Sequence, residues 1–260
     1  MVGTAGWTIP LVSADAFPAG GTHLERYSRR LHCVEINSSF YRPHRATVYE
    51  KWASQTPRHF RFSVKLPKLI THTQRLRRTR LPLTDFVAQV RGLRARLGPL
   101  LVQLPPSLEF SVRAAGTFFR LLRGLHDGPV VCEPRHKTWF LPKAEALLHR
   151  HRVGRVAADP AVAPAANRPA GWTERRGMEP DGVAYYRLHG SPQMYWSSYP
   201  AERLAIWSAE IWSRADTNVW CVFDNTAMGA ATANALDLQL LASAPRRIGA
   251  GAPKSPRPAS

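Results

Sequence analysis

Short apolar runs of β character recur along the chain, each closed by polar residues and followed by a stretch with helical spacing. The runs are Val2–Trp7, Cys33–Asn37, Phe60–Lys65, Pro99–Gln103, Val130–Glu133, Val153–Ala157, Val183–Leu188 and Val219–Phe223. Several are continuously apolar, as parallel strands covered on both faces should be. The intervening segments predict helices over Thr22–Leu31, Ala46–Ser54, Leu83–Leu97, Val112–Leu125, Leu141–His151, Glu202–Arg214 and Ala227–Leu241. In the third, Phe86, Val90, Leu93 and Leu97 share one face. Eight strands alternating with helices predict a single α/β domain, a (β/α)8 TIM-type barrel. A doubly wound open sheet is the alternative, but no glycine-rich dinucleotide fingerprint follows any strand. The Pro-, Ala- and Gly-rich stretch from Asp159 to Gly182 reads as an irregular loop before strand seven, in the position of a lid. Residues 1–244 are expected to form the barrel and 245–260, a basic Pro/Ala/Gly-rich stretch, a disordered tail.

Composition adds three constraints. No stretch approaches the roughly 18 uncharged apolar residues of a membrane span, and the start lacks an export signal, so a soluble cytoplasmic protein without membrane partners is expected. Cys33, Cys132 and Cys221 are scattered and odd in number, which reads as buried thiols rather than a disulfide framework or zinc site. Thirty-six Lys and Arg against 18 acids give +18 over 260 residues. The stretch from Thr71 to Leu81 holds Arg75, Arg77, Arg78 and Arg80 and no acid. Such a field attracts polyanions, although arginines spread over solvated faces would produce the same total.

The candidate chemistry lies where the strands end, because the loops of a barrel converge there on one mouth. Strand two gives Glu35 and Asn37, with Tyr41 beyond; strand three gives Lys65 and then His72; strand four gives Gln103. Strand five is followed by Glu133, Arg135, His136 and Trp139. Strand six ends at Asp159, strand seven at Arg187 and His189, and strand eight at Asp224 and Asn225. Trp7 closes strand one, and Tyr195 follows strand seven. Unpaired buried charges are costly, so the acids and bases at consecutive strand ends should form one mutually neutralising network. Each has a plainer reading. Glu35 could only pair a strand-end arginine, Gln103 only satisfy loop backbone, His72 and His136 be structural, and Tyr195 belong to a lid core. Gly190 beside His189 would let a ligand approach the backbone.

Several of these stretches resemble a known family. Gly3-Thr-Ala-Gly-Trp7, Val34-Glu-Ile-Asn-Ser-Ser-Phe-Tyr41, Phe60-Arg-Phe-Ser-Val-Lys65 with Thr71-His72, and Gln103-Leu-Pro-Pro106 come first. Glu133-Pro-Arg-His136 with Trp139, Arg187-Leu-His-Gly190 and Phe223-Asp-Asn-Thr226 with Asn234-Ala235 follow. Together, over about residues 2–241, they resemble the YecE-like family, a domain of unknown function (number 72). The resemblance implies a TIM barrel with these motifs at its mouth, and no agreed reaction. Its barrel is similar to those of endonuclease IV-type and sugar-isomerase-type proteins, an analogy of fold only. The family often has Asn-Asn where this chain has Asp224-Asn225, and more residues before the first motif.

The leading expectation is a barrel binding an anionic, phosphate-containing ligand, a small molecule or nucleic acid, with phosphoester hydrolysis as the reaction. Arg135, Arg187 and Lys65 would hold the anion. Glu133 or Glu35 would act as general base and His189 as acid or metal ligand. A divalent metal on Glu35, Glu133, Asp159 and His189 is the one cofactor considered. Trp7, Asn37, Tyr41, His72, Gln103, His136, Trp139, Tyr195, Asp224 and Asn225 would line the substrate site. Glutamine at Glu133 is expected to stop turnover and spare folding. The alternatives are a non-catalytic nucleic-acid-binding protein, using the arginine-rich loop near the mouth, and a glycoside hydrolase with two strand-end carboxylates.

Overall fold

In the computed structural model, residues 1–173, 182–214 and 218–243 are described. The predicted tail, 245–260, lies outside them, as does part of the loop before strand seven. The strands are β1 (Val2–Ala5), β2 (Cys33–Ile36), β3 (Arg61–Lys65), β4 (Leu97–Gln103), β5 (Val130–Glu133), β6 (Val153–Arg155), β7 (Ala157–Asp159), β8 (Ala170–Gly171), β9 (Val183–Leu188) and β10 (Asn218–Phe223). The helices are α1 (His23–Ser28), α2 (Ser38–Tyr41), α3 (Ala46–Ser54), α4 (Arg80–Val90), α5 (Val112–Leu125), α6 (Pro142–Arg150), α7 (Ala201–Trp212) and α8 (Ala230–Ser243).

The sheet order is β7-β9-β10-β1-β2-β3-β4-β5-β6-β8, and every pairing but β6 with β8 is parallel. The expected sixth strand is split at Val156. Its first half pairs with β5 and its second half with β9, so one segment bridges the two ends of the sheet and brings it round into a TIM-type barrel. Among the described residues, the region read as irregular contains a 3-10 turn at Pro164–Asn167 and the short strand β8, which folds back on β6 through Gly154 and Gly171.

The predicted helix Leu83–Leu97 is shorter and starts earlier. It breaks after Val90 into a tight turn over Arg91–Arg96, where Arg94 takes a φ of 51°, and Leu97 already belongs to β4. Periodicity did not show the break because Leu93 is buried on either reading. Helix α5 follows its pattern closely: Ser111 Oγ accepts from Ala114 N, and Ala115, Phe118, Phe119 and Leu122 are buried.

The apolar core has two compartments. The larger lies between sheet and helices. The smaller fills the barrel with Cys33, Leu101, Val131, Val183, Tyr185, Trp220 and Val222. Tyr185 stacks on Trp220 with ring centroids 5.9 Å apart, and Gly98 leaves room for that indole, since a Cβ there would stand 2.6 Å from it. Strand side chains alternate with a period of two, so the residues two beyond Cys33, Leu101, Val131, Tyr185 and Val222 also point inward. They are Glu35, Gln103, Glu133, Arg187 and Asp224: a dry plug carries a charged layer at its carboxyl end. The three cysteines are buried and free. Among the described residues no helix is long and apolar enough to cross a membrane.

Candidate functional site at the barrel mouth

Arg187 is the centre of the charged layer and is fully buried. Its Nε and Nη2 donate to Glu35 Oε2 and Oε1 at 3.0 and 2.7 Å. Nη1 donates to Glu133 Oε2 at 2.5 Å and Nη2 to Asp224 Oδ2 at 2.9 Å. Tyr185 Oη adds a bond to Glu35 Oε2 at 2.9 Å. Burial disfavours the Arg187 charge, but Glu35, Glu133 and Asp224 outweigh it and raise its pKa well above the usual value. Burial likewise works to raise the Glu133 and Asp224 carboxyls. Arg135, Arg187 and His189 hold Glu133 well below its ordinary range, and Arg187, His189 and Lys65 hold Asp224 down.

His189, also buried, bridges the network. Its Nδ1 faces Asp224 Oδ2 at 3.0 Å, an acceptor only, so Nδ1 carries a proton. Its Nε2 lies 3.1 Å from Glu133 Oε1 and 2.8 Å from Arg135 Nη2. Arg135 itself pairs with Glu133 Oε1 at 2.5 Å. Asn37 Nδ2 reaches Asp224 Oδ1 at 3.5 Å, and its own Oδ1 is buried with no partner among the described atoms.

Lys65 differs from the other cations of the layer. It is 9% exposed, with Nζ 4.2 Å from the centre of the Phe40 ring. Among the described residues its ammonium has no ion pair. Burial first, and then Arg187, bring its pKa down to about 8. His72 meets the same Phe40 edge-on and bonds Thr71 Oγ1 through Nδ1 at 2.8 Å. Burial and the neighbouring Lys65 and Lys68 push its pKa to about 4. Gln103, half-buried, completes the layer in register with Glu133.

The network expected from the sequence therefore forms, but not every expected member joins it. Asp159 stands apart: Tyr199 Oη donates to its Oδ2 at 2.7 Å and Arg203 lies 3.3 Å from Oδ1, while its carbonyl accepts from His189 N. Asn225 is a loop clamp, donating to Ser197 O and Asn234 Oδ1, both at 2.9 Å. His136 accepts from Thr138 N and opens the turn Lys137–Phe140. Trp139 is core, its indole bonded to Leu108 O at 2.9 Å. Trp7 packs edge-on against Trp52, 5.0 Å away. Tyr41 is exposed at the rim, and Tyr195, in a left-handed conformation (φ 69°), meets the His189 ring edge-on at 5.6 Å. Gly190 does not open the backbone to a ligand; a Cβ there would lie 2.6 Å from Ser197 O, so the glycine makes room for its own loop.

The metal reading does not fit these residues. Arg187 occupies the point on which Glu35, Glu133 and Asp224 converge, Asp159 faces elsewhere, and among the described residues no group of three or more His, Cys, Asp or Glu side chains could hold a metal ion. Sequence reasoning missed Tyr185, although the alternation Val183, Tyr185, Arg187 would have placed it inward. Tyr199, which the sequence offers as lid core or a stacking surface, and Asn234, which belongs to the last of the motifs, anchor the loop after β9.

The family model described as "Protein of unknown function DUF72" matches residues 1–259. The UPF0759 protein YecE of Escherichia coli (strain K12) is 32% identical over 146 residues, 54% of this chain and 53% of that protein, so the match spans about half the length of that relative. The UPF0759 protein YunF of Bacillus subtilis (strain 168) is 24% identical over 95% of this chain and 98% of its own length. Among solved structures, a DUF72 family protein from Thermotoga maritima MSB8 has a TM-score of 0.72 at 22% identity, covering 92% of this chain and 98% of that one. One from Enterococcus faecalis V583 has a TM-score of 0.72 at 17% identity, covering 94% and 95%. These two likenesses show the fold, and the family-wide match shows more: the chain belongs to the DUF72 family.

Proposed function

We propose that the barrel mouth binds a small anionic, phosphate-bearing ligand, with Lys65 as its charged anchor and the amides of Asn37 and Gln103 beside it. The observation that carries this is the state of the three cations at the mouth. Arg187 and Arg135 are already paired with carboxylates, whereas among the described residues the Lys65 ammonium has no ion pair. Arg187 is thus a support for the site rather than a ligand clamp. Phosphoester hydrolysis would need a proton carrier. Glu133 and Asp224, held low, are weak bases, which leaves His189 between them. The same lowering argues against a glycoside hydrolase, whose acid must have a raised pKa.

The test is calorimetric titration with inorganic phosphate, glycerol phosphate and nucleoside monophosphates. Lys65→Met should weaken binding by about 1.5–3 kcal/mol, the worth of a hydrogen bond to a charged group, while Lys65→Arg should retain most of it. Equal binding by wild type and Lys65→Met would sink the reading.

A second reading, nucleic-acid binding, is favoured by a groove on the outer wall rather than by the mouth. Arg77, Arg78, Arg80, Arg113 and Arg120 line a cavity of about 840 Å³ between the loop before α4 and helix α5. Arg75, held by Ser107, lines a neighbouring cavity of about 510 Å³. Neither α4 nor α5 has an acid in its first turn. Arginines crowd two positive helix ends, an arrangement that a bound phosphate chain would relieve. Oligonucleotide anisotropy across salt concentrations tests it; binding unchanged by Arg113→Ala with Arg120→Ala would refute it.

A further inference from the structure

Lys65 has a setting that alters what its amine can do. It ends β3 on the inward face, in the layer that holds Glu35, Gln103, Glu133, Arg187 and Asp224. An ammonium needs water or a counter-ion, and this one is largely withdrawn from the first and, among the described residues, lacks the second. Its direct contact is with the Phe40 ring, and the fields of Glu35, Asp224 and Glu133, which favour its charge, do not outweigh burial and Arg187. A lysine desolvated beside another cation has a larger share of its amine neutral than an ordinary lysine, and the neutral amine is the nucleophilic form. The pKa of about 8 agrees with that placement.

We infer that Lys65 is an imine-forming residue, whose Nζ condenses with the carbonyl carbon of an aldehyde or ketone that also carries an anionic group. The anionic half of this rests on the reading of the mouth as a phosphate site; the carbonyl half does not. The Nζ lone pair adds to the carbonyl carbon, and the C=O π pair moves to oxygen, which takes a proton released by the nitrogen. The resulting carbinolamine loses its hydroxyl together with the remaining nitrogen proton as water, leaving C=N. Nothing is oxidised or reduced. Asn37, with its unpartnered Oδ1, and Gln103 are the neutral polar groups at the mouth suited to hold the carbinolamine hydroxyl. His72, kept neutral at physiological pH, adds no competing cation.

The experiment treats the full chain at pH 7 with either propanal or pyridoxal 5′-phosphate, reduces with borohydride, and maps the modified lysines by peptide mass spectrometry. Lys68, exposed three residues away, is the internal control. Lys65 should be labelled roughly tenfold more than Lys68 or better, because an ordinary lysine near 10.4 is almost wholly protonated at that pH. The preference should shrink as pH approaches 10, and Lys65→Arg should abolish the selective adduct. Equal labelling of Lys65 and Lys68, or no labelling of Lys65 by either aldehyde, overturns the inference. Selective labelling by propanal with no gain for the phosphorylated aldehyde keeps the imine and removes the phosphate reading. Loss of phosphate binding in Lys65→Met but not Lys65→Arg, with Lys65 unlabelled, keeps the phosphate reading and removes the imine.

Discussion

Arg187 grips both oxygens of Glu35 side-on, through Nε at 3.0 Å and Nη2 at 2.7 Å, with both side chains fully buried inside the barrel. This fork locks β9 to β2 across the barrel interior, and the remaining donors of Arg187 tie in β5 and β10. The charged layer is therefore a structural brace as much as a candidate site, and substitutions within it are expected to act on folding.

Glu133→Gln is the clearest case. It leaves Arg187 and Arg135 short of a buried counter-charge, a loss of about 3–5 kcal/mol. Urea denaturation should show it, contrary to the sequence-based expectation that folding would be spared. Because Glu133 is held well below its ordinary pKa, its contribution is present above about pH 4.5 and is lost as pH falls below that range. The glutamine variant should show a flatter acid limb; an unchanged midpoint at pH 7 would count against the brace.

Lys65→Met should do the opposite. A lysine with a folded pKa of about 8 against an ordinary 10.5 binds fewer protons folded than unfolded between those values, so stability rises with pH across that window. Removing the amine should eliminate that slope and raise stability at pH 7 by on the order of 1–3 kcal/mol. A less stable methionine variant would show that the ammonium has a favourable partner after all.

Asp224→Asn should cost less than Glu133→Gln, about 1 kcal/mol. The amide oxygen can still accept from Arg187, and the new NH2 can face Asn37 if that side chain turns to present its unpartnered Oδ1. Paired denaturation curves decide it, and a loss as large as that of Glu133→Gln would disprove the compensation.

If the outer groove holds nucleic acid, Arg113→Ala with Arg120→Ala should lower the salt dependence of oligonucleotide binding. Each lost phosphate contact removes about 0.7–0.9 from the log–log slope. Weaker affinity at an unchanged slope would indicate that these arginines act on folding, not on phosphates.

The alternation of apolar runs and helical stretches was sufficient to read the barrel, because parallel strands covered on both faces and amphipathic helices leave different periods in the chain. The strand ends were legible as the place where Glu35, Lys65, Gln103, Glu133, Arg187 and Asp224 collect. Period-two alternation also fixes which side of a strand each residue occupies. It carries no information about pairing register or barrel closure, and these decided which groups meet. Closure through the split at Val156 sets β7 beside β9, where Asp159 turns to Tyr199 and Arg203 instead of joining the other acids. Register brought three carboxylates onto Arg187 and, among the described residues, left Lys65 without an ion pair. Sequence supplied the charges; only the tertiary structure, by fixing distance and burial, determined which are neutralised and which remain available for chemistry.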